Sequence, residues 1–417
     1  MGKNPANGQL ESGFDPLAPY DPQYLIVNGS GFGTKSANSP AIAEYFTGAA
    51  NGQLLSSYSP SWVAYADDGG VITNLNPRYS GHKSGYNDYT RGEFSTNYKQ
   101  YDPSRSVFLS YWARICDFRS GYDGGVIKHG RITSSSAAGG GGVYNEEGSQ
   151  AFGGVDYGTG GYPSWSGSEN GLNSLGEFSD LPLDAWFRIE YEVHLNDVDV
   201  ANGFYNLRGD VFSGRQSGAI MQRKTGFTKA NYLLDTTLLG LEIANPKKWY
   251  KPVVFTALTT YTVTVDGIPC SWTSGASAPT ANDICTNLRL AVIATGGVNP
   301  SYTTVYQDEL YIDYGKSSVY DAKFAVGHKV SLQVGDVYLD TSLSRFVIGN
   351  AATYAACTIK EPQPYYSWNN TQVKLTKKLM AFSGQKYLYF VNATLAGTTS
   401  VFLGEITNQT EINVGAV

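Results

Sequence analysis

The sequence is short of the residues that many enzymes and membrane proteins depend on. Its four cysteines (Cys116, Cys270, Cys285, Cys357) are too sparse for a disulfide scaffold, and none has the Cys-x-x-Cys spacing of a zinc site. They read as mostly reduced thiols, with a bridge between Cys270 and Cys285 left open. The four histidines (His82, His129, His194, His328) lie far apart, and the chain has no His-Glu-x-x-His, no Gly-x-Ser-x-Gly and no complete phosphate loop. Asn28-Gly29-Ser30-Gly31-Phe32-Gly33-Thr34-Lys35-Ser36 comes nearest, but Thr34 precedes the lysine and the glycine spacing fails, so it reads as a turn. No apolar run reaches the roughly 18 residues of a membrane span, and Met1 to Gly8 lacks the apolar core of a signal peptide. Neither a span nor export by the usual signal is expected.

Charge is scarce as well. Charged residues make up 16% of the chain, against roughly 25% in an ordinary domain. The net charge of -6 leaves no basic footprint for a phosphate backbone, so nucleic acid is not an expected partner.

What the chain has is glycine, tyrosine and alternation. With Gly 48, Tyr 31 and Pro 17, the composition favours short strands and many turns over helices. From Asp184 to Asn196, Phe187, Ile189, Tyr191, Val193 and Leu195 alternate with Trp186, Arg188, Glu190, Glu192 and His194, a β-strand with one face in a core. Val107, Leu109, Tyr111, Ala113 and Ile115 repeat the pattern. Further strands are expected at 204–209, 238–243, 261–267, 288–293 and 305–314, and such a series with turn signals between indicates an all-β sandwich.

The order Ser106 to Trp112, Trp186 to Tyr191, Val265-Asp266-Gly267 and Gln307 to Asp313 resembles the concanavalin A-like jelly rolls, which include laminin-G-type lectin modules and jelly-roll polysaccharide lyases. The resemblance implies an all-β jelly-roll sandwich over residues 24–328. The short strands expected within 329–417 resemble a small immunoglobulin-like sandwich, of the kind appended to carbohydrate-active proteins and to phage fibre and decoration proteins. Residues 1–23 carry Pro5, Pro16, Pro19 and Pro22 and read as an extended arm, with Phe14, Leu17 and Tyr20 as its assembly contacts.

Candidate sites follow in three groups. Arg188, Glu190, Glu192 and His194 form the polar side of their strand. They line a sugar groove if that face is concave, and a solvated outer face is the plainer reading. Glu190 and Glu192, about 6.5–7 Å apart along a strand, suit glycoside cleavage only if both face a cleft. Tyr157, Tyr162 and Trp165 lie in a Gly/Ser-rich stretch where a core role is least obliged, and aromatic faces stack on sugar rings. If the resemblance to jelly-roll lyases extends to activity, Arg91, Lys128, His129, Arg131 and Tyr144 supply the charge-neutralising, base and acid groups. The Gln-Ile-His and Tyr-x-Lys-x-Gly-x-Tyr elements of those lyases are absent.

No cofactor is expected and no metal site is assigned, although the acidic turns at Asp67-Asp68, Asp197 to Asp199 and Asp308-Glu309 offer oxygen ligands of the kind Ca²⁺ takes. The expected function is a phage-type structural protein on a virion surface, oligomeric through its arm, with a lectin-like jelly roll that meets cell-surface polysaccharide. The alternatives are a polysaccharide lyase on the same fold, which is the enzyme class expected if the chain is catalytic, and an extracellular filament or coat subunit.

Overall fold

Alternation builds the two strands that organise the molecule. In the strand Ser106–Cys116, Val107, Leu109, Tyr111, Ala113 and Ile115 enter the main core, and in Phe187–His194 so do Phe187, Ile189, Tyr191 and Val193. The two strands pair antiparallel, Ile189 opposite Tyr111 and Tyr191 opposite Leu109, so their apolar side chains stand on one face. A computed structural model describes residues 24–46, 48–58, 62–64, 70–88, 94–116, 126–133, 151–157, 163–168, 177–178, 184–197, 200–210, 213–219, 233–244, 247–306, 308–313, 321–327 and 331–417. At some strand positions, among them 128, 129, 131, 151–157 and 163–168, it describes the backbone alone.

These strands lie at the centre of an antiparallel sheet ordered Ser213–Ala219, Gly203–Gly209, Phe187–His194, Ser106–Cys116, Ser331–Asp340, Ser84–Asp88, Val71–Thr73, with Ile42–Glu44 also on Ser331–Asp340. A second antiparallel sheet runs Glu177–Phe178, Pro163–Ser168, Ala151–Tyr157, Val126–Thr133, Leu234–Ala244, Phe94–Ser104, Val63–Ala64. Ile132, Leu234 and Leu239 from this sheet meet the first sheet's apolar face, closing a jelly-roll sandwich around one core. The fit is close at Gly130, where an added Cβ would strike the Tyr111 hydroxyl. The fold is all-β in class.

Two expectations within this frame fail, and the first is 305–314, which is not one strand but the hairpin of Thr303–Tyr306 with Glu309–Asp313. The second is Leu288 to Ile293, which is not a strand but part of the helix Ala281–Ala294. Thr280 caps it, accepting from the Asp283 N–H while the Asp283 carboxylate accepts from the Thr280 N–H, and Ile284, Leu288 and Val292 recur at intervals of four. The helix covers the hairpin Thr260–Val265 with Ile268–Thr273 and a four-stranded sheet of Thr303–Tyr306, Glu309–Asp313, Lys247–Pro252 and Phe324–Gly327. Together they form a separate small core in which Cys270 and Cys285 are both buried and unbridged.

Sheet membership also departs from the expected divisions at 23/24 and 328/329. Tyr24–Ser30 is not a jelly-roll strand: it pairs antiparallel with Gln372–Thr376 and parallel with Glu411–Ala416. Ser331–Asp340, expected in the small sandwich, is a buried strand of the large sheet between Ser106–Cys116 and Ser84–Asp88. The small sandwich therefore consists of one sheet of Tyr365–Trp368, Gln372–Thr376, Tyr24–Ser30 and Glu411–Ala416, facing another of Lys360–Pro362, Arg345–Gly349, Lys386–Thr394 and Gly397–Ile406. Leu25, Val27, Phe346, Ile348, Val373, Leu375, Leu388 and Phe390 fill it.

This interleaving makes an expectation about cleavage. A chain cut at a protease site inserted between Gly327 and Ser331 should still run as one body on native size-exclusion chromatography and separate only in denaturant, because each fragment supplies strands to a sheet of the other. A free C-terminal fragment under native conditions would contradict it.

Candidate functional site

The polar side of Phe187–His194 is neither a groove nor a solvated face. Glu192 is 0% exposed, with Arg188 and Glu190 almost as deeply buried. The small sandwich covers them. Arg345, from the strand Arg345–Gly349, donates to Glu192 at 2.6 Å, while Asn206 Nδ2 and Thr398 Oγ1 donate to its other oxygen at 2.7 and 2.8 Å. Arg208 makes a second ion pair with Glu192. Burial alone would push this carboxyl up, but the two guanidinium groups hold it down at about 2. Arg188 pairs with Glu190 at 3.2 Å and donates to the Lys360 carbonyl, and Arg215 donates to the carbonyls of Thr394 and Leu395. Only His194 lies at the rim, its Nδ1 2.7 Å from Ser106 Oγ. The two glutamates share a face as their spacing requires, yet arginines neutralise both and the small sandwich fills the space a substrate would need. As ligand-binding residues, Arg188, Glu190 and Glu192 are corrected to interface residues.

Sequence reasoning missed the rest of this interface. Arg78 bridges Asp336 at 2.6 Å and Glu361 at 2.7 Å, lies over the Trp112 ring, and Trp112 Nε1 donates to Glu361 at 3.1 Å. Tyr79 donates to Asp336 at 2.8 Å and His82 Nε2 stands 3.4 Å from it. Burial opposes ionisation of Asp336, but Arg78 and His82 hold its carboxyl well below the ordinary range; burial pushes Glu361 up despite Arg78. Asp336 sits at a bulge with φ 50, a left-handed turn that puts its carboxylate beside Arg78. A charged residue inside an apolar strand, as in Ser344-Arg345-Phe346-Val347-Ile348, was the available signal.

With that face covered, the second sheet is where the remaining candidates meet. Val126–Thr133, Ala151–Tyr157 and Pro163–Ser168 are consecutive neighbours. The register sets Lys128 beside Gly154 and Glu242, Arg131 beside Phe152 and Leu238, Trp165 beside Val155, and Tyr157 beside Pro163. Arg131 thus falls in a row with Leu238, Tyr98 and Val63, the row next to the core-facing Asn97, Leu239 and Gly130. Leu238 is buried, Tyr98 half-buried and Val63 exposed, so the row opens toward its Val63 end.

His129 occupies a bulge, for Lys128 pairs with Gly154 and Gly130 with Gly153, leaving it without an opposite residue. The adjacent strand is irregular at the same level, between Leu239 and Glu242, where Gly240 takes φ 134. Bulges bend a sheet and re-aim side chains, and they recur beside binding and active sites. Arg91, Tyr144 and Tyr162 lie outside the described residues, as do Phe14, Leu17 and Tyr20 and the turn at Asp67-Asp68. Of the other acidic turns, Asp197 is taken up by Arg105 and Asn202, and Glu309 accepts from the Tyr311 hydroxyl. Among the described residues no group of three or more His, Cys, Asp or Glu could hold a metal.

No family model and no curated protein matches the chain. Solved structures do match at low similarity. An alginate lyase carrying alginate trisaccharide is 8% identical with a TM-score of 0.41, covering 73% of this chain and 99% of its own. An endo-β-1,4-glucuronan lyase from the fungus Trichoderma reesei is 11% identical with a TM-score of 0.28, over 66% of this chain and 88% of its own. A carbohydrate recognition domain in potassium-bound form is 8% identical with a TM-score of 0.32, over 73% of this chain and 96% of its own. The neighbours are lyases and lectin domains of all-β build, and at these scores they carry no argument about activity.

Proposed function

We propose that this chain is a glycan-binding surface protein that grips anionic polysaccharide on its second sheet, around Val126–Thr133, and that it is carried on a phage-type particle. What supports the binding site is one juxtaposition: Lys128, His129, Arg131, Tyr157 and Trp165 are brought onto three adjacent strands, at a bulge, while the polar face of the other sheet is sealed. By register Lys128 and Arg131 fall on one face of this strip, with Gly154 and Phe152, and Tyr157 and Trp165 on the other, with Gly153 and Val155, so it is the cations that suit the carboxylates of a uronate chain. What supports the particle setting is the proline-rich arm, the sparse cysteine and the low charged fraction of the sequence. The small sandwich, with the immunoglobulin-like character expected of it, then serves as a structural partner.

Affinity electrophoresis through gels containing alginate, glucuronan or a neutral glucan tests this reading. Retardation is expected in the uronate gels alone, falling with salt and reduced about tenfold or more in Lys128→Ala/Arg131→Ala, a loss of at least about 1.4 kcal/mol. Equal mobility in every gel would sink it. The bulge at His129 favours a second reading, β-elimination on the same polymers, with His129 as the proton-abstracting base. Under the binding reading the absorbance of unsaturated product stays flat. Steady growth that His129→Ala abolishes would replace binding by lyase action.

A further inference from the structure

The strand Gly397–Ile406 closes one sheet of the small sandwich, paired on one side with Lys386–Thr394. Its other side has no pairing strand and no backbone hydrogen bond to a loop among the described residues. An open edge presents a row of N–H and C=O groups that another strand can complete, so proteins usually shorten, charge or kink their edges. This chain does so at several other edges, although Tyr365–Trp368 and Glu411–Ala416, shorter at four and six residues, are edges without proline, lysine or arginine. Glu177–Phe178 and Val63–Ala64 are two residues each, Val71–Thr73 is three, Lys360–Pro362 is three and ends in proline, and Ser213–Ala219, at seven, carries Arg215.

Gly397–Ile406 has none of this protection over most of its ten residues. It contains no proline, lysine or arginine and a single charge, Glu405, near its end. Its register irregularity also lies late, between the pairs Leu388–Gly404 and Tyr389–Phe402, leaving Gly397 to Phe402 regular. Within that regular part Val401 is 38% and Phe402 53% exposed.

We propose that this edge is a self-association surface, through which two copies of the chain pair antiparallel about a two-fold axis and join their small sandwiches into one continuous sheet. A two-fold contact must be complementary to itself, and this strand is. Centred on Ser400, the pairing sets Thr399 against Val401 and Thr398 against Phe402 of the other copy, polar or apolar side chains with no like charges opposed. The two Glu405 carboxylates then lie at opposite ends, roughly 33 Å apart at the rise of a strand, well beyond a Debye length of roughly 8 Å. The contact is closed, since each edge is consumed by its mate, and it is independent of the glycan-binding reading.

The test uses the full chain and a charge at the axis. Light scattering over a concentration series is expected to give the mass of two chains for the native sequence. Ser400→Lys sets two like charges against each other and should weaken the dimer at least about tenfold, with an unchanged thermal melt because Ser400 is exposed. Mixing Ser400→Lys with Ser400→Glu should restore the dimer, since opposite charges then face one another. That restoration decides the matter even if one variant melts early. A native chain that stays single throughout, or a dimer that both variants retain alone, overturns the proposal.

Discussion

Replacing Arg345 by alanine is expected to lower stability by about 3–5 kcal/mol, the cost of breaking a buried ion pair while one partner remains. Arg345 is fully buried, lies over the Phe108 ring and donates to both Glu192 and the Leu343 carbonyl. Its removal leaves Glu192 with Arg208 as its remaining guanidinium and opens a void between the two sandwiches. Chemical denaturation should show the loss. Removing both charges in Arg345→Met/Glu192→Gln should recover much of it, because two absent partners cost less than one orphaned charge. A single variant within about 0.5 kcal/mol of the native protein, the scatter of ordinary surface substitutions, would mean that this pair does not hold the interface.

Acid should loosen the same contact. The Glu192 carboxyl falls from an ordinary 4.5 to about 2 in the folded chain. A group depressed on folding stabilises fully above its unfolded value, and that stability is lost as pH drops from 4.5 through about 2. The gap corresponds to about 3 kcal/mol. Glu190 and Asp336, held down by Arg188 and Arg78, act in the same direction, while Glu361, pushed up by burial, acts against them. Denaturant melts taken from pH 6 to pH 2 should therefore lose stability steeply, and Glu192→Gln should flatten that dependence even though it melts lower at neutral pH. An identical acid slope in the variant would assign the acid sensitivity elsewhere.

Much of the architecture was legible because period two is a local signal. Phe187 to Leu195 and Val107 to Ile115 enter the core as their alternation requires. The helix Ala281–Ala294 was missed although its signals were present, Thr280-x-x-Asp283 and the four-residue spacing of Ile284, Leu288 and Val292, because the short apolar run Leu288 to Ile293 fits strand and helix alike. The covered glutamates were not legible. A polar side chain alternating with core residues reads as solvated until a second domain is known to lie on it, and no local pattern connects Glu192 with an arginine 153 positions away.

The sequence by itself determined the all-β class, the faces of the long strands and the absence of a disulfide framework, because each depends on neighbours along the chain. Only the tertiary structure decided that Tyr24–Ser30 belongs with strands near the C-terminus and that Ser331–Asp340 belongs in the large sheet. It also decided which polar face was sealed and which strip of strands gathered Lys128, His129, Arg131, Tyr157 and Trp165. The reason is physical: a strand's own residues set its two faces, but its backbone donors and acceptors are the same in every strand. Which neighbour completes them is settled by the shape and charge of everything else that folds around it.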